Sequence, residues 1–264
     1  MLLEIKQLTI EFHDHLVPET VVKNVTMSME EGEIVGIVGE SGSGKSMTAL
    51  SVAGLLPRKD MKKKGEIWFE GQELLSLPRK ELRLLQGDEI GMIFQEPMTA
   101  LNPTMKIGKQ VEESLYLHRD LSRTERRELA LSWLEKVELN DSERVYESYP
   151  HELSGGMRQR VMIAAAMVAG PKLLIADEPT TALDVTVQAQ IIQLLKKINE
   201  KNNTAILFIS HDLSLVKDLC DRVYVMKDGE VVEHGKSEDV FYHPMEDYTK
   251  QLIAAIPVID LEQD

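Results

Sequence analysis

Hydrophobic and polar residues alternate in two segments near the N-terminus, at residues 2–12 and 21–29. Alternation with a period of two is typical of β-strands that bury one face, so each segment predicts a strand. Residues 34–38, Ile-Val-Gly-Ile-Val, form a mostly β-branched run without alternation. Such a run is typical of a strand buried on both faces of a parallel sheet. Four further strands are predicted, at residues 65–70, 90–94, 172–176 and 205–209.

A helical pattern occupies the middle of the chain, from about residue 102 to about residue 169. There Ser122 and Glu125 have the spacing of a capping box, which predicts the start of a helix that runs toward Val137. Another amphipathic helix is predicted at residues 187–198, where apolar residues share one face. The strands therefore lie on both sides of a helical insertion.

Shorter signals complete the plan of the chain. Asp228-Gly229 lies between two apolar runs and predicts a β-hairpin, whereas Lys62-Lys63-Lys64 is interpreted as a solvated loop. The order of strands and helices predicts an α/β fold. The expected organisation is a single domain, 1–264, with an α/β core at residues 1–97 and 166–264 and an all-helical subdomain at residues 98–165.

The composition is that of an ordinary globular protein, with 43% hydrophobic and 28% charged residues among 264. The 30 Lys and Arg residues are outnumbered by 44 Asp and Glu residues, which gives a net charge of −14. A surface this negative repels phosphate backbones, so we expect no nucleic acid as a partner. The single cysteine, Cys220, excludes an intrachain disulfide and a cysteine-ligated zinc or iron–sulfur site.

No segment of the sequence is expected to cross a membrane. Glu4 lies where a signal peptide would have apolar residues, and the longest apolar region, residues 161–176, is interrupted at Gly170-Pro171-Lys172. A transmembrane helix needs about 20 apolar residues. We therefore expect a chain of cytosolic character that works at a membrane only by docking to another protein.

A glycine-rich loop follows directly after the strand predicted at residues 34–38. Its sequence fits the phosphate-loop pattern G-x-x-x-x-G-K-[ST], and a helix-compatible stretch follows at residues 45–55. Glycines let the backbone wrap phosphate groups, and the helix N-terminus adds partial positive charge. Lys45 would contact the β- and γ-phosphates, and Ser46 would ligate Mg²⁺. The loop consists of Gly39, Glu40, Ser41, Gly42, Ser43, Gly44, Lys45 and Ser46.

The alternative interpretation of this loop is a Gly/Ser-rich turn that merely precedes a helix. The correct order of buried strand, loop and Lys-Ser favours a nucleoside triphosphate site instead. Asp177 and Glu178, which end the apolar run at residues 172–176, fit the same site. Asp177 would hold Mg²⁺ through coordinated water, and Glu178 would polarise the attacking water. On their own, the two acids could equally lie in a solvated turn before Pro179.

A second anion-binding helix start is predicted at Ser154-Gly155-Gly156. Ser154 has the position of an N-cap, the glycines leave room for a ligand, and an apolar helix follows. Together with Leu153 and Met157, the segment resembles the signature of the ATP-binding-cassette (ABC) transporter ATPases, which usually reads Leu-Ser-Gly-Gly-Gln. Met157 departs from that signature at the last position and removes an amide. Without this segment, the chain could be another phosphate-loop ATPase, including a small kinase.

The resemblance covers essentially the whole chain. It implies a RecA-like phosphate-loop NTPase core with an N-terminal antiparallel β subdomain and an inserted all-helical subdomain. Gln95 matches the Q-loop glutamine of the family, which touches the Mg²⁺ and water cluster. Asp184, in the segment at residues 181–184, matches the D-loop, which crosses to a second subunit. His211 matches the switch histidine, which contacts the γ-phosphate, although alone it would be interpreted as an ordinary strand-end histidine.

The resemblance also indicates which residue stacks on the adenine base of the nucleotide. The family's adenine-stacking aromatic is expected near the end of the first strand, where Phe12 is the candidate and His13 and His15 compete with it. Met47 stands where many members of the family have Thr. Its backbone N–H is unaffected by that difference, so it is kept among the nucleotide-binding positions.

A finer resemblance, to the peptide/nickel uptake branch of the family, rests on residues 94–103, 155–163, 180–190 and 241–257. It implies an ATP-hydrolysing subunit, peripheral on the cytoplasmic face of the membrane, that powers uptake of peptides, nickel or metal chelates. The implied partners are a second ATPase subunit, two transmembrane permease subunits and, indirectly, an extracellular solute-binding protein. A sibling ATPase is the expected second subunit, and a homodimer stays open.

Two other functions stay open at this point. One is a soluble ABC protein that acts on ribosomes or DNA, and such proteins usually have two fused cassettes or a long coiled coil. The other is a degenerate cassette that binds ATP only to regulate a partner. The acidic composition weighs against the first function. Retention of Lys45, Asp177, Glu178 and His211 weighs against the second.

Overall fold

The computed structural model describes residues 1–13, 18–56, 61–181 and 183–255. Within these ranges the strands form two sheets, one of four strands and one of six. The strands are β1 (Leu3–Phe12), β2 (Glu19–Met29), β3 (Ile34–Val38), β4 (Met61–Phe69), β5 (Gln72–Glu73), β6 (Ile90–Ile93), β7 (Leu173–Asp177), β8 (Ala205–Ile209), β9 (Arg222–Lys227) and β10 (Glu230–Lys236).

The four-stranded sheet has the order β2-β1-β4-β5, and all its neighbours are antiparallel. The six-stranded sheet has the order β10-β9-β3-β8-β7-β6. Its strands from β9 to β6 are parallel, and β10 is antiparallel at the edge. The predicted α/β fold with an antiparallel β subdomain is therefore confirmed.

The strand β3 is buried along its whole length, as its unbroken apolar run predicts. Ile34 and Val38 belong to the core on one face of the six-stranded sheet, which includes α-helices of the insertion. Val35 and Ile37 belong to the core on the other face, between this sheet and the antiparallel sheet. Burial on both faces fixes β3 firmly, and the phosphate loop begins at its end.

The structure confirms one sequence prediction about the strands and corrects another. The hairpin at Asp228-Gly229 is confirmed, and both residues have positive φ angles, 50° and 87°, as a two-residue hairpin turn requires. The solvated loop at residues 62–64 is wrong, because these lysines lie in β4 and pair with β1. Lysine has a low β propensity, but pairing with β1 overrides it, and Lys64 forms an ion pair of 2.8 Å with Glu11.

Helices surround the parallel sheet and fill the insertion. They are α1 (Lys45–Val52), α2 (Arg79–Leu85), α3 (Pro97–Ala100), α4 (Ile107–Val111), α5 (Glu113–His118), α6 (Arg123–Lys136), α7 (Ser142–Glu147), α8 (Gly155–Met167), α9 (Val185–Asn202), α10 (Leu213–Leu219), α11 (Ser237–Tyr242) and α12 (Asp247–Ala254). A short 3-10 helix spans Pro150–Glu152. None of these helices is long and apolar enough to cross a membrane.

The insertion between β6 and β7 contains α3 to α8. The predicted capping box opens α6, where Ser122 accepts a bond of 3.3 Å from the Glu125 N–H and the Glu125 carboxylate accepts one of 2.7 Å from the Ser122 N–H. The helix α8 continues to Met167, so the subdomain limits of 98 and 165 stay a prediction.

Polar contacts join the insertion to the core helix α9. Arg160 of α8 is buried and donates hydrogen bonds to the Val137 carbonyl at 2.7 Å and to the Gln190 side chain of α9 at 3.1 Å. Glu138 accepts from Arg160 at 3.1 Å and from Lys197 of α9 at 2.7 Å. The helices α8 and α9 are therefore held against each other by paired charges.

Candidate active site

The six-stranded sheet brings four segments of the chain together at one edge. β3, β8, β7 and β6 are neighbours and run in parallel, so the residues that follow them meet at the carboxyl edge of the sheet. The phosphate loop follows β3, Glu178 follows β7, His211 comes two residues after β8 and Gln95 comes two residues after β6. Residues that are far apart in the sequence are therefore gathered at one place.

The phosphate loop needs glycine where other chain segments approach it. Gly39 has a φ of 148°, and a Cβ there would lie 2.1 Å from the Met226 carbonyl oxygen at the end of β9. Gly44 has a φ of 97°, and a Cβ there would lie 2.8 Å from the Val21 carbonyl oxygen of β2. Side chains at these positions would push the loop away from its two supporting strands.

Lys45 lies inside the phosphate loop, with only 4% of its surface exposed. Its ammonium group donates to the carbonyl oxygens of Gly39 at 2.7 Å and Glu40 at 2.8 Å, and lies 3.5 Å from the Ser43 hydroxyl. Burial lowers the pKa of Lys45. The positive charge of Lys45 therefore lies at the centre of the loop and is poorly solvated there. Phosphate oxygens are favourable partners for such a charge.

Ser46 and Asp177 are in direct contact. The Ser46 hydroxyl donates a hydrogen bond of 2.9 Å to the Asp177 carboxylate, which is 6% exposed. Burial raises the pKa of Asp177. A hydroxyl and a carboxylate at this separation are hard oxygen donors, the kind that Mg²⁺ prefers. The donor set therefore fits a Mg²⁺ ion, with the phosphates of a nucleotide and water as further ligands.

Glu178 is the centre of a cluster of polar side chains. Its carboxylate accepts hydrogen bonds from the Gln95 amide at 2.8 Å and from the Thr181 hydroxyl at 3.0 Å. The His211 ring lies 3.3 Å away from it. The backbone of Glu178 has a φ of 47°, and its N–H donates to Ile209 of β8 at 2.9 Å. The structure therefore brings Gln95, Glu178 and His211 together, as predicted from sequence.

The end of β1 pairs with the part of β2 that contacts the phosphate loop. Phe12 is half-buried and pairs with Glu19 of β2, two residues before Val21. Val21 is the residue whose carbonyl oxygen faces Gly44 of the phosphate loop. Phe12 therefore pairs with β2 two residues from the position that faces the phosphate loop, and Ser41 and Gly42 of the loop are exposed.

The structure describes one of the two histidines that compete with Phe12. His13 follows β1, is exposed and lies 3.3 Å from the Glu11 carboxylate of that strand. His15 lies outside the described residues. Phe12 stays the candidate for stacking on adenine. Met47, after the loop, is half-buried and packs against the core beside the antiparallel sheet.

The signature segment is exposed at the start of α8. The Ser154 hydroxyl accepts a hydrogen bond of 3.3 Å from the Met157 N–H and caps the helix, as predicted. Ser154 and Gly155 are exposed, while a Cβ on Gly156 would lie 2.9 Å from Val187 of α9. The helix N-terminus is therefore open to a ligand and is supported from behind by α9.

The start of α8 is built on a different part of the sheet from the phosphate loop. The other end of α8 packs on β6, where a Cβ on Gly91 would lie 2.5 Å from the Ala166 carbonyl oxygen. Gly155 is about 16 Å from that point along the helix axis, at 1.5 Å per residue. β8 and β7 lie between β6 and β3, so the distance from β6 to β3 across the sheet is about 14 Å. This geometry favours two separate sites for anions.

Asp184 lies at the start of α9, beside the signature. Its carboxylate accepts a hydrogen bond of 3.0 Å from the Val187 N–H, so it caps α9, and it is exposed. Leu183, the residue before it, lies 3.8 Å from where a Cβ on Gly155 would be. Ala182 lies outside the described residues. The starts of α8 and α9 thus form one exposed surface.

Sequence reasoning missed two residues at this site. Thr181 bonds to Glu178, and its place in the segment at residues 181–184 was a usable signal. The hydroxyl of Tyr248, in α12, accepts a hydrogen bond of 3.1 Å from the Glu40 N–H of the phosphate loop. Nothing in the sequence pattern indicates that contact, because the two residues are 208 positions apart.

Comparison with known proteins agrees with this geometry. Residues 22–181 match the family described as ABC transporter. The oligopeptide transport ATP-binding protein OppD of Bacillus subtilis (strain 168) is 48% identical over 260 residues, which are 98% of this chain and 73% of the relative. The dipeptide transport ATP-binding protein DppD of Lactococcus lactis subsp. cremoris (strain MG1363) is 44% identical over 263 residues, which are 99% of this chain and 75% of the relative.

Solved structures show the same fold. A dimeric structure of a post-hydrolysis state of the ATP-binding cassette MJ0796 bound to ADP and Pi has a TM-score of 0.80 and 33% sequence identity. The match covers 89% of this chain and 98% of that chain. The RecA-like ABC ATPase fold expected from the sequence is therefore confirmed. The chain belongs to the ABC transporter family and is one of its ATP-hydrolysing cassettes.

Proposed function

We propose that this chain is the ATPase subunit of an importer that takes up peptides. The observation that carries the proposal is the convergence of Gln95, Glu178 and His211 beside the phosphate loop, since it gives a site able to hydrolyse ATP. The relatives named for oligopeptide and dipeptide transport support peptides as the cargo class. Nickel and metal chelates, the other cargo implied by the sequence, are an alternative outcome of the test below.

The residues of the site divide the chemistry between them. The loop N–H groups and Lys45 bind the phosphates, and Ser46 and Asp177 would hold Mg²⁺. When bound, Mg²⁺ supplies positive charge to the phosphate oxygens. Glu178 takes the proton of the attacking water, and Gln95, His211 and Thr181 keep its carboxylate in place through their contacts with it.

A second cassette completes the site in this proposal. The start of α8 at Ser154 is exposed and lies about 16 Å along α8 from its contact with β6, which is itself three strand positions from β3 and the phosphate loop. In this proposal one chain therefore does not bring both segments onto one nucleotide. Two cassettes arranged head to tail do so, with Asp184 at the contact. The similar cassette MJ0796 forms a dimer in its solved structure, which supports this arrangement. A sibling cassette is the proposed partner, and a second copy of this chain is the other possibility.

Two permease subunits are the proposed membrane partners. A cavity of about 350 Å³ lies between the core and the insertion and is lined by apolar side chains, among them Leu55, Met92, Phe94 and Leu117. Leu55, Phe94 and Leu117 are more than a third exposed. A short cytoplasmic helix of a permease would cover them, next to Gln95. In this proposal the chain works on the cytoplasmic face of the membrane, and an extracellular solute-binding protein acts indirectly.

The test is transport by the assembled complex. The chain is purified with its partner subunits, placed in liposomes and supplied with ATP and either labelled peptides or labelled nickel chelates. ATP-dependent peptide accumulation is expected, with none when Glu178→Gln replaces the parental chain. Accumulation of nickel chelates alone would correct the cargo. ATP hydrolysis that no cargo or permease stimulates would favour a soluble or regulatory ABC protein instead.

A further inference from the structure

The hydroxyl of Tyr248 reaches the phosphate loop from the C-terminal helix α12. It accepts a hydrogen bond of 3.1 Å from the backbone N–H of Glu40, and Tyr248 is 9% exposed. Glu40 itself is exposed, and its N–H donates to the hydroxyl of a buried ring. A contact between α12 and the loop backbone has no role in the phosphate chemistry described above.

The contact fixes one particular peptide unit. The Glu40 N–H and the Gly39 carbonyl belong to the same planar peptide group. Tyr248 holds the N–H end of this group, and the Lys45 ammonium donates to the carbonyl end at 2.7 Å. Because the group is planar, fixing its N–H end sets the direction of its carbonyl oxygen, and hydrogen bonding at both ends strengthens each bond.

Tyr248 is itself held firmly in position. The Lys227 ammonium lies over its ring, 4.8 Å from the ring centre. The start of α12 is anchored to β10, where the Glu233 carboxylate accepts hydrogen bonds from the N–H groups of Met245 at 2.7 Å and Glu246 at 3.1 Å. Burial raises the pKa of Tyr248, so the hydroxyl stays neutral over the physiological range.

We propose that Tyr248 is a positioning residue for Lys45, acting through the peptide group between Gly39 and Glu40. With the hydroxyl present, the Gly39 carbonyl points at the Lys45 ammonium, and the lysine is aimed into the loop before a nucleotide arrives. Without it, the peptide group is free to rotate, and ordering it is added to the cost of binding a nucleotide. The hydroxyl therefore raises the affinity for ATP without touching the ATP.

The experiment compares Tyr248→Phe with Tyr242→Phe in the full chain. The first variant keeps the ring under Lys227 and removes only the hydroxyl. The second removes the same group from an exposed tyrosine of α11, over whose ring Lys217 lies at 4.4 Å, and so serves as a matched control. Calorimetry gives the Kd for ATP, thermal unfolding gives stability, and NMR gives amide exchange at single residues.

Tyr248→Phe is expected to raise the Kd for ATP about fivefold, the effect of one net hydrogen bond, and to lower the thermal midpoint by no more than about 4 °C. Amide exchange at Glu40 should accelerate at least about tenfold. The Thr48 N–H, which donates to Gly44 at 2.9 Å within the start of α1, should keep its rate. Tyr242→Phe should change none of these quantities.

Two results would overturn the proposal. One is a Kd and a Glu40 exchange rate in Tyr248→Phe that equal those of the parental chain. The other is faster exchange at both Glu40 and Thr48 together with a fall of the thermal midpoint well beyond about 4 °C, which would mean that the hydroxyl serves general stability. The family's ATPase activity stands in either case, so failure here is distinguishable from failure of the proposed function.

Discussion

The Gln95 side-chain amide donates a hydrogen bond of 2.8 Å to the carboxylate of Glu178. The first residue follows β6 and the second follows β7, and these strands are neighbours in the parallel sheet. Because Gln95 directly follows Phe94, which lines the apolar cavity proposed for the permease, a shift of this segment would change the surroundings of the carboxylate proposed as general base. The bond links the hydrolytic site to the proposed docking surface.

Glu178→Gln is expected to lower the ATP turnover of the assembled complex by about 10²–10⁴-fold, because it removes the proposed general base. The affinity for ATP should stay close to that of the parental chain, since the loop and Lys45 are untouched. Turnover is measured by phosphate release, and affinity by calorimetry. Glu200→Gln, at an exposed position of α9, is the control. Parental turnover in Glu178→Gln would show that another group activates the water.

Lys45→Ala is expected to weaken ATP binding by about tenfold to a hundredfold, because a charge-assisted contact with phosphate is lost. The loss should be visible in the Kd itself, not only in turnover, and calorimetry measures it. Lys196→Ala, an exposed lysine of α9, removes a charge elsewhere and should leave the Kd unchanged. An unaltered Kd in Lys45→Ala would contradict the assignment of the phosphate loop.

Asp177→Asn is expected to stabilise the nucleotide-free chain at neutral pH. Burial raises the pKa of Asp177 above its ordinary value of 3.8, so the folded chain bears a cost for the ionised carboxylate at neutral pH. Asparagine removes that cost, and a rise of the thermal midpoint of about 2 °C is expected.

The advantage of Asp177→Asn should depend on pH. It is full above the raised pKa, shrinks as the pH falls through it, and vanishes below 3.8, where the carboxyl is neutral in both the folded and the unfolded chain. Thermal unfolding over a pH series measures this, with Asp218→Asn at an exposed position of α10 as the control. A constant difference at all pH values would contradict the role of burial.

Ser154→Arg, introduced into this chain alone, is expected to disturb the nucleotide held by the partner cassette. Its own phosphate loop should still bind ATP, because the two sites are separate. Nucleotide bound at each site is measured by photo-labelling of the mixed complex. Ser122→Arg is the control, since it removes an equivalent N-cap, that of α6, at a similar cost of about 1 kcal/mol. Loss at this chain's own site alone would refute the head-to-tail arrangement.

Much of the fold and the site was predictable because the signals are local. The buried run at residues 34–38 and the capping box at Ser122 specify β3 and the start of α6 through nearby residues alone. The cluster around Glu178 was predictable from a resemblance, since its members follow neighbouring parallel strands. The predictions that were wrong or missing depend on residues that are distant in the sequence. Residues 62–64 form a strand because they pair with β1, and Tyr248 contacts Glu40 only in the folded chain.

The close approach of Gly156 to Val187 restricts which sequences this surface can have. A methyl group at position 156 would come within 2.9 Å of a Val187 methyl group, so alanine there requires a smaller residue at position 187. A change at one position is tolerated only with a compensating change at the other. The effect of a substitution in the signature therefore depends on which residue occupies the first turn of α9. This coupling holds although the two segments are about 30 residues apart in the chain.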